Sequence, residues 1–146
     1  MLFRSEHLDI KLRDQLKANG KPFKIRDYQR QAADRWHDHG RPSGGHGVVV
    51  LACGAGKTIV GMAVMDLLQT HTLVLTTNTV AVRQWRRELM EKTTLTEDQV
   101  GEYTGDVKEI RPVTISTYQM LTYRKRKTEE FAHFGLFNAR DWGLVV

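Results

Sequence analysis

The sequence predicts an α/β protein in which helices flank a parallel sheet. Apolar runs typical of buried strands cover residues 48–52, 73–76, 113–117 and 143–146. Segments in which apolar residues recur at helical spacing lie between these runs. Strands that alternate with helices form parallel sheets with right-handed crossovers. The length of 146 residues fits one such domain.

The helices are predicted from apolar spacing and from the residues that end them. Leu8, Leu12 and Leu16 recur every four residues and predict a lead-in helix within residues 1–21. A second helix is expected to begin near Asp27 and to bury a face formed by Tyr28, Ala32 and Trp36. Further helices are predicted over 59–68, over 79–92 and from Tyr118 onward. We therefore divide the chain into the lead-in segment, 1–21, and one domain, 22–146.

Composition and charge narrow the class of protein. With 40% hydrophobic and 27% charged residues, the chain has the composition of an ordinary folded protein. The net charge of +5 is compatible with a nucleic-acid partner but does not require one. Cys53 is the single cysteine, which excludes an internal disulfide and favours a reducing compartment. The sequence has no apolar run long enough for a signal peptide or a membrane span, so we expect a cytoplasmic protein.

A glycine-rich loop between a predicted strand and a predicted helix indicates a nucleotide-phosphate site. Gly54 and Gly56 can adopt backbone angles that turn N–H groups toward an anion, and the positive end of the following helix dipole adds to the attraction. Lys57 could reach the β- and γ-phosphates, and the Thr58 hydroxyl could ligate Mg²⁺. The predicted ATP-binding residues here are Leu51, Ala52, Cys53, Gly54, Ala55, Gly56, Lys57 and Thr58, with Lys57 and Thr58 as the catalytic pair.

Simpler interpretations of the loop remain open. The glycines could form an ordinary turn that leaves Lys57 solvated, although the order of strand, loop and helix favours a phosphate site. The general phosphate-loop pattern also has a glycine where this chain has Leu51. Cys53 is interpreted as a small packing residue and not as a redox group.

Two polar residues before the loop could recognise the base of a nucleotide. The Gln29 amide offers a donor and an acceptor, which match the edge of adenine, and Arg26 could help to hold the base. The alternative is that both are surface residues at a helix start. The six histidines form no metal-binding pattern, so we expect no metal other than the Mg²⁺ that accompanies a nucleotide.

Four segments together resemble the first motor domain of superfamily 2 helicases, and more narrowly the XPB-type DNA helicases. The resemblance runs from about residue 22 to the end of the chain and implies a RecA-like P-loop NTPase fold. It also implies ATP and Mg²⁺ as cofactors, DNA as a partner, and a second RecA-like domain in a full-length parent chain. It places Arg26 and Gln29 in the adenine-recognition motif. The family tolerates a residue other than glycine at position 51 but usually has proline where this chain has Ala52. The segments are Arg26–Gln29, Leu51–Thr58, Leu75–Trp85 and Ile115–Leu121.

The resemblance also implies a set of DNA-backbone contacts. Most of these residues follow the carboxyl ends of predicted strands, where ligand crevices of parallel sheets lie. Alternatively, Thr79 and Thr117 are only helix N-caps. Trp85 is interpreted as a core residue. The run Arg124–Lys127 is interpreted as a solvated charged face, with contact to DNA phosphates as the alternative. The implied DNA contacts are Thr77, Asn78, Thr79, Arg83, Gln84, Gly105, Thr117 and Tyr118.

The function implied by the resemblance is that of an ATP-dependent DNA helicase or translocase, moving 3′ to 5′ in repair or in processes linked to transcription. The protein would then be cytoplasmic and associated with the nucleoid. In the family, the run 143–146 leads into the acidic pair of motif II, so we expect an incomplete motor domain that binds ATP without hydrolysing it alone. Two alternatives stay open: a non-catalytic module that binds ATP or DNA, and a restriction-type or chromatin-type translocase on duplex DNA.

Overall fold

The structure is a computed structural model that describes residues 7–123 and 134–146. Its centre is a four-stranded sheet in which every neighbouring pair is parallel, with the spatial order β2-β3-β1-β4. The strands are β1 (Thr72–Thr76), β2 (Val100–Tyr103), β3 (Val113–Thr117) and β4 (Leu144–Val145). The predicted parallel α/β architecture is confirmed.

The helices agree closely with the apolar spacing of the sequence. Helix α2 is buried at five of its twelve positions, because its apolar residues surround it nearly completely. Helix α1 forms where expected, but its buried face contains Gln29 and Ala33, and Tyr28 is exposed. The helices are α1 (Asp27–His37), α2 (Lys57–Leu68), α3 (Thr79–Lys92) and α4 (Tyr118–Thr122).

Strand β2 was absent from the sequence prediction. Its four residues, Val100–Tyr103, include one glycine and no alternation of apolar and polar side chains. The strand forms because β3 supplies a parallel neighbour along all four residues. Gly101 is needed there, since a Cβ would lie 2.8 Å from the carbonyl oxygen of Glu109. Tertiary pairing therefore overrides a weak local signal.

The lead-in helix predicted within residues 1–21 is wrong for the described part of that segment. Residues 8–18, which we call the strap, contain no helix and lie across the ends of α2 and α3. The sequence Leu8-Asp-Ile-Lys-Leu12 also alternates apolar and polar residues, and the structure follows this period of two. Leu8 and Ile10 are accordingly buried in the main core, the larger hydrophobic cluster, which also contains Met62 of α2 and Val113 of β3.

Hydrogen bonds fix the strap to both helices. The Leu8 N–H donates to the Gln69 carbonyl at 3.0 Å, and the Ile10 N–H donates to Gln69 Oε1 at 3.0 Å. Asp66 Oδ2 accepts from the Leu12 N–H at 2.9 Å. At α3, the Arg13 N–H donates to the carbonyl at the last residue of that helix, 2.7 Å away. The strap thus satisfies carbonyl groups that helix ends leave unpaired.

The strand predicted over residues 48–52 is also wrong. A strand requires a neighbour that pairs with its backbone, and no strand among the described residues pairs with this segment. The sheet ends instead at β4, which is two residues long. Val48 and Val50 are 89% and 85% exposed, whereas Val49 and Leu51 pack against the core. The apolar run is therefore buried on one face only.

Helices α2 and α3 meet at a glycine. The Trp85 indole of α3 lies over Gly61 of α2, where an added Cβ would be 2.7 Å from Trp85 Cη2. Trp85 is half-buried and packs against the main core, so its interpretation as a core residue is confirmed. The absence of a side chain at Gly61 is what lets the indole approach the helix backbone.

Candidate functional site

The phosphate loop turns at two glycines with left-handed backbone angles. Gly54 has φ 76°, and Gly56 has φ 80° and ψ 48° as the N-cap of α2. Both angles lie in the region that disfavours residues with a Cβ. The Ala55 N–H donates to the Ala52 carbonyl at 3.2 Å and closes the turn. The loop therefore reverses direction immediately before α2 begins.

The start of α2 presents unpaired donors. Within residues 7–123 and 134–146, the N–H groups of Gly56, Lys57 and Thr58 donate to no protein acceptor. Free N–H groups at a helix start form an anion site with the positive end of the helix dipole. Lys57 is exposed and Thr58 is half-buried. These donors and this lysine fit a phosphate group, and the Thr58 hydroxyl would supply one oxygen ligand to a Mg²⁺ ion bound with it.

Gln29, the predicted adenine-recognition residue, lies directly against the phosphate loop. It is buried, and its Nε2 donates to the Ala55 carbonyl at 2.9 Å. Its Oε1 accepts from the Arg26 N–H at 2.9 Å, which caps the start of α1. A Cβ on Gly56 would overlap Gln29 Nε2, so glycine is needed for this contact. One amide N–H and one oxygen lone pair of Gln29 remain for another partner.

Tyr28 also contacts the loop, and sequence reasoning missed this role. Its hydroxyl donates to the same Ala55 carbonyl at 2.7 Å, although its residue is 39% exposed. Arg26 Nη1 lies 3.5 Å from the Tyr28 oxygen, at the limit of a hydrogen bond. The helical spacing had assigned Tyr28 to a buried face, which gave no indication of a polar contact with the loop.

Six of the eight predicted DNA contacts lie at one edge of the sheet, and the other two, Arg83 and Gln84, lie within α3. Strands β1, β2 and β3 are parallel, so their carboxyl ends meet there, with Thr76 paired to Thr117 and Tyr103 to Ser116. The Thr76 hydroxyl donates to the Ser116 carbonyl at 3.1 Å and ties two of these ends together. Positions 77–79 follow β1 directly, Thr117 is the last residue of β3 and Tyr118 follows it, and Gly105 lies two residues after β2.

These residues differ in how much surface they offer. Asn78 caps α3 by accepting from the Ala81 N–H at 2.8 Å, so the alternative interpretation of Thr79 as the cap is wrong. Thr117 is buried, and its hydroxyl accepts from the Met120 N–H at 3.3 Å, which confirms its interpretation as the cap of α4. At this edge the exposed side chains belong to Thr77, Asn78 and Tyr118, whereas the exposed residues Arg83 and Gln84 lie within α3.

Two further features complete the surface description. The Gly105 carbonyl is exposed and accepts from Lys108 Nζ at 3.0 Å. The basic run Arg124–Lys127 lies outside the described residues. Within the described ranges, no three His, Cys, Asp or Glu side chains converge as a metal site. None of the helices in those ranges has the length and apolarity needed to cross a bilayer.

The parallel sheet, its flanking helices and the glycine loop at the start of α2 define the class of P-loop α/β domains. The chain belongs to the family described as Type III restriction enzyme, res subunit, which it matches over residues 22–137. This membership agrees with the RecA-like helicase fold that the sequence predicts.

Curated relatives support the predicted resemblance to XPB-type helicases, which is confirmed. The chain is 56% identical over 124 residues to a DNA 3′-5′ helicase XPB of Mycobacterium tuberculosis, covering 85% of this chain and 21% of that protein. It is 53% identical over 122 residues to the protein of the same name in Kineococcus radiotolerans, covering 84% and 21%.

A more distant relative extends over nearly the whole chain. The XPB/SSL2 helicase/translocase subunit of the general transcription and DNA repair factor IIH of Saccharomyces cerevisiae is 31% identical over 149 aligned residues. The alignment covers 99% of this chain and 17% of the yeast protein. The chain thus spans about a fifth of the length of the curated relatives that it matches.

A solved structure is also similar to this chain. It is a nuclease-deletion mutant of the Type ISP restriction-modification enzyme LlaGI in complex with a DNA substrate mimic, with a TM-score of 0.44 and 20% identity. The match covers 66% of this chain and 13% of the other.

Proposed function

We propose that this chain is the nucleotide-binding part of the first RecA-like motor domain of an ATP-dependent DNA helicase or translocase. The observation that carries the proposal is the start of α2, where two left-handed glycines precede three unpaired N–H groups and Lys57. The relatives named as DNA 3′-5′ helicases support the helicase part of the proposal. Moving 3′ to 5′ in DNA repair or transcription is part of the same proposal.

ATP would bind with its phosphates on the loop. The N–H groups of Gly56, Lys57 and Thr58 would donate to the phosphate oxygens, and Lys57 would neutralise charge on the β- and γ-phosphates. Bound Mg²⁺ would supply charge neutralisation between those phosphates, with Thr58 as its protein ligand here. The side chains of Lys57 and Thr58 would therefore act on the transferred phosphoryl group by their position and, for Lys57, by its charge.

The base of the nucleotide would be read by Gln29. Its remaining N–H and lone pair form a donor and acceptor pair, which is the pattern that the edge of adenine requires. Arg26 is exposed beside it at the start of α1 and could flank the base. Because Gln29 also holds the Ala55 carbonyl, one side chain would connect base recognition to the phosphate loop.

DNA would bind at the carboxyl edge of the sheet through its backbone. Hydroxyl, amide and guanidinium groups contact phosphates without reading base sequence, as a motor that moves along any DNA requires. The exposed residues Thr77, Asn78 and Tyr118, with Arg83 and Gln84 of α3, would make these contacts. A second RecA-like domain in the parent protein would complete the motor, in a cytoplasmic protein associated with the nucleoid.

The test of the proposal is calorimetric titration of the chain with ATP and Mg²⁺. Lys57→Ala should weaken ATP binding by about 10- to 100-fold, because a hydrogen-bonded charge on the phosphates is lost. Lys21→Ala, at an exposed lysine before α1, is the matched control and should bind as the unaltered chain does. Equal ATP affinity in folded Lys57→Ala protein would refute the phosphate site.

A further inference from the structure

The carbonyl of Ala55 receives two side-chain donors from α1. Tyr28 Oη lies 2.7 Å from this oxygen and Gln29 Nε2 lies 2.9 Å from it. A carbonyl oxygen has two lone pairs, so these two donors saturate it. Both donors belong to neighbouring residues in the first turn of one helix, and both reach the same peptide group of the phosphate loop.

We propose that Tyr28 is a positioning residue, which holds the phosphate loop in its anion-binding conformation through the Ala55 carbonyl. The inference rests on the proposed function of the loop as a phosphate site. Tyr28 is not assigned any contact with the nucleotide itself; its effect is exerted through the peptide group between Ala55 and Gly56.

Peptide geometry explains how an outside contact can orient an inward donor. A trans peptide is planar, with its C=O and N–H groups on opposite sides. When Tyr28 and Gln29 hold the Ala55 oxygen toward α1, the Gly56 N–H must point the opposite way, away from α1. Gly56 N–H is one of the unpaired donors at the start of α2. The hydroxyl of Tyr28 therefore fixes the direction of a phosphate-binding N–H.

The loop needs such support because its own residues do little to restrict its backbone conformation. Gly54 and Gly56 are conformationally permissive, and among the described residues the backbone hydrogen bond within the turn is the one from Ala55 to Ala52. Helix α1 is a firm base, since Gln29 and Ala33 are buried and α1 packs extensively on α2. A donor on that helix orders the loop before the phosphate binds, which lowers the entropy cost of binding.

The experiment compares Tyr28→Phe with the unaltered chain, using Mg²⁺ with ATP, GTP or inorganic tripolyphosphate as probes. The variant removes one hydroxyl and its hydrogen bond from a residue that is 39% exposed, so the thermal unfolding midpoint should fall by at most about 4 °C. Loss of one neutral hydrogen bond should weaken all three ligands by the same factor, about five-fold. Tyr123→Phe removes a hydroxyl at the end of α4, outside α1 and the phosphate loop, and is the matched control, whose affinity for the three probes should equal that of the unaltered chain.

A spectroscopic readout separates positioning from general stability. In Tyr28→Phe protein without ligand, the Gly56 amide resonance should shift or broaden as its peptide group samples other orientations, while that of Gly61 within α2 stays in place. If the unaltered chain binds none of the three probes, the proposed phosphate site fails and the role of Tyr28 fails with it. If the unaltered chain binds them and Tyr28→Phe binds equally tightly, only the role of Tyr28 is refuted.

Discussion

The indole of Trp85 lies directly on Gly61, so close that a Cβ at the glycine would be 2.7 Å from Trp85 Cη2. Gly61 belongs to α2, which begins at the phosphate loop, and Trp85 belongs to α3, which begins at the proposed DNA edge. The contact sets the separation of the two helices. The phosphate loop, which precedes α2, and the proposed DNA edge, which precedes α3, are thereby connected through this pair of packed helices.

Gly61→Ala should destabilise the chain by about 1–3 kcal/mol, because overpacking against a rigid indole outweighs the helix propensity gained with alanine. Chemical denaturation measures the free energy of unfolding. The double variant Gly61→Ala with Trp85→Leu should be more stable than the sum of its single variants predicts, since leucine relieves the overlap. Additive effects would show that the two residues do not press on each other.

Gln29→Ala should abolish preference for ATP over GTP and also weaken both nucleotides. The first effect follows from loss of the donor and acceptor proposed for adenine, and the second from loss of one of the bonds that hold Ala55. Competition between the two nucleotides measures the preference. Gln31→Ala, at an exposed glutamine of the same helix, serves as the control. A preference that persists in Gln29→Ala would argue against adenine recognition by this residue.

Ile10→Ala should lower the free energy of unfolding by about 2–4 kcal/mol, because the isoleucine is fully buried in the main core. Had the strap been a loose lead-in helix, the change would be nearly neutral. Denaturant titration gives the value, and Lys21→Ala, at an exposed lysine just after the strap, is the control. A loss below about 0.5 kcal/mol, the range of neutral surface changes, would contradict the packing of the strap.

DNA affinity should fall steeply with salt and depend little on sequence, since the proposed contacts are to phosphates. Arg83→Ala should reduce the slope of log affinity against log salt concentration by about one, as expected for one lost phosphate contact. Arg41→Ala, at an exposed arginine after α1, should leave the slope unchanged. Fluorescence anisotropy on two unrelated duplexes gives both quantities, and strong preference for one duplex would contradict backbone binding.

The sequence predicts those elements whose burial and local spacing agree. The helix over 79–92 and the strand over 113–117 form with the predicted bounds, because each has a strong apolar pattern and a neighbour to pack on. The phosphate loop was equally visible, since glycines, lysine and threonine at fixed spacing follow from the needs of an anion site. Elements whose sequence pattern fits only one type of secondary structure could be predicted from the sequence.

The remaining elements depended on partners that are distant in sequence. Leu8 and Leu12 fit periods of both two and four, whereas Ile10 fits only the period of two, and the hydrogen-bond acceptors at the ends of α2 and α3 decide between the two periods. Residues 48–52 have a strand composition, but a strand needs a paired neighbour. The Tyr28 bond to Ala55 joins a side chain to a backbone oxygen, and no residue pattern reports such a contact.

The long-range hydrogen bonds of the strap lead us to expect that it folds late. Its side-chain bonds link positions that are 54 to 83 residues apart, so they close long loops and form only after their partners are in place. At roughly 5–20 residues per second, a ribosome would deliver those partners some 3–17 seconds after the strap emerges. During that interval Leu8 and Ile10 have no core to enter. The strap is synthesised before its partners and is thus among the last segments of the domain to become native, so its apolar side chains must stay unassociated until α3 is complete.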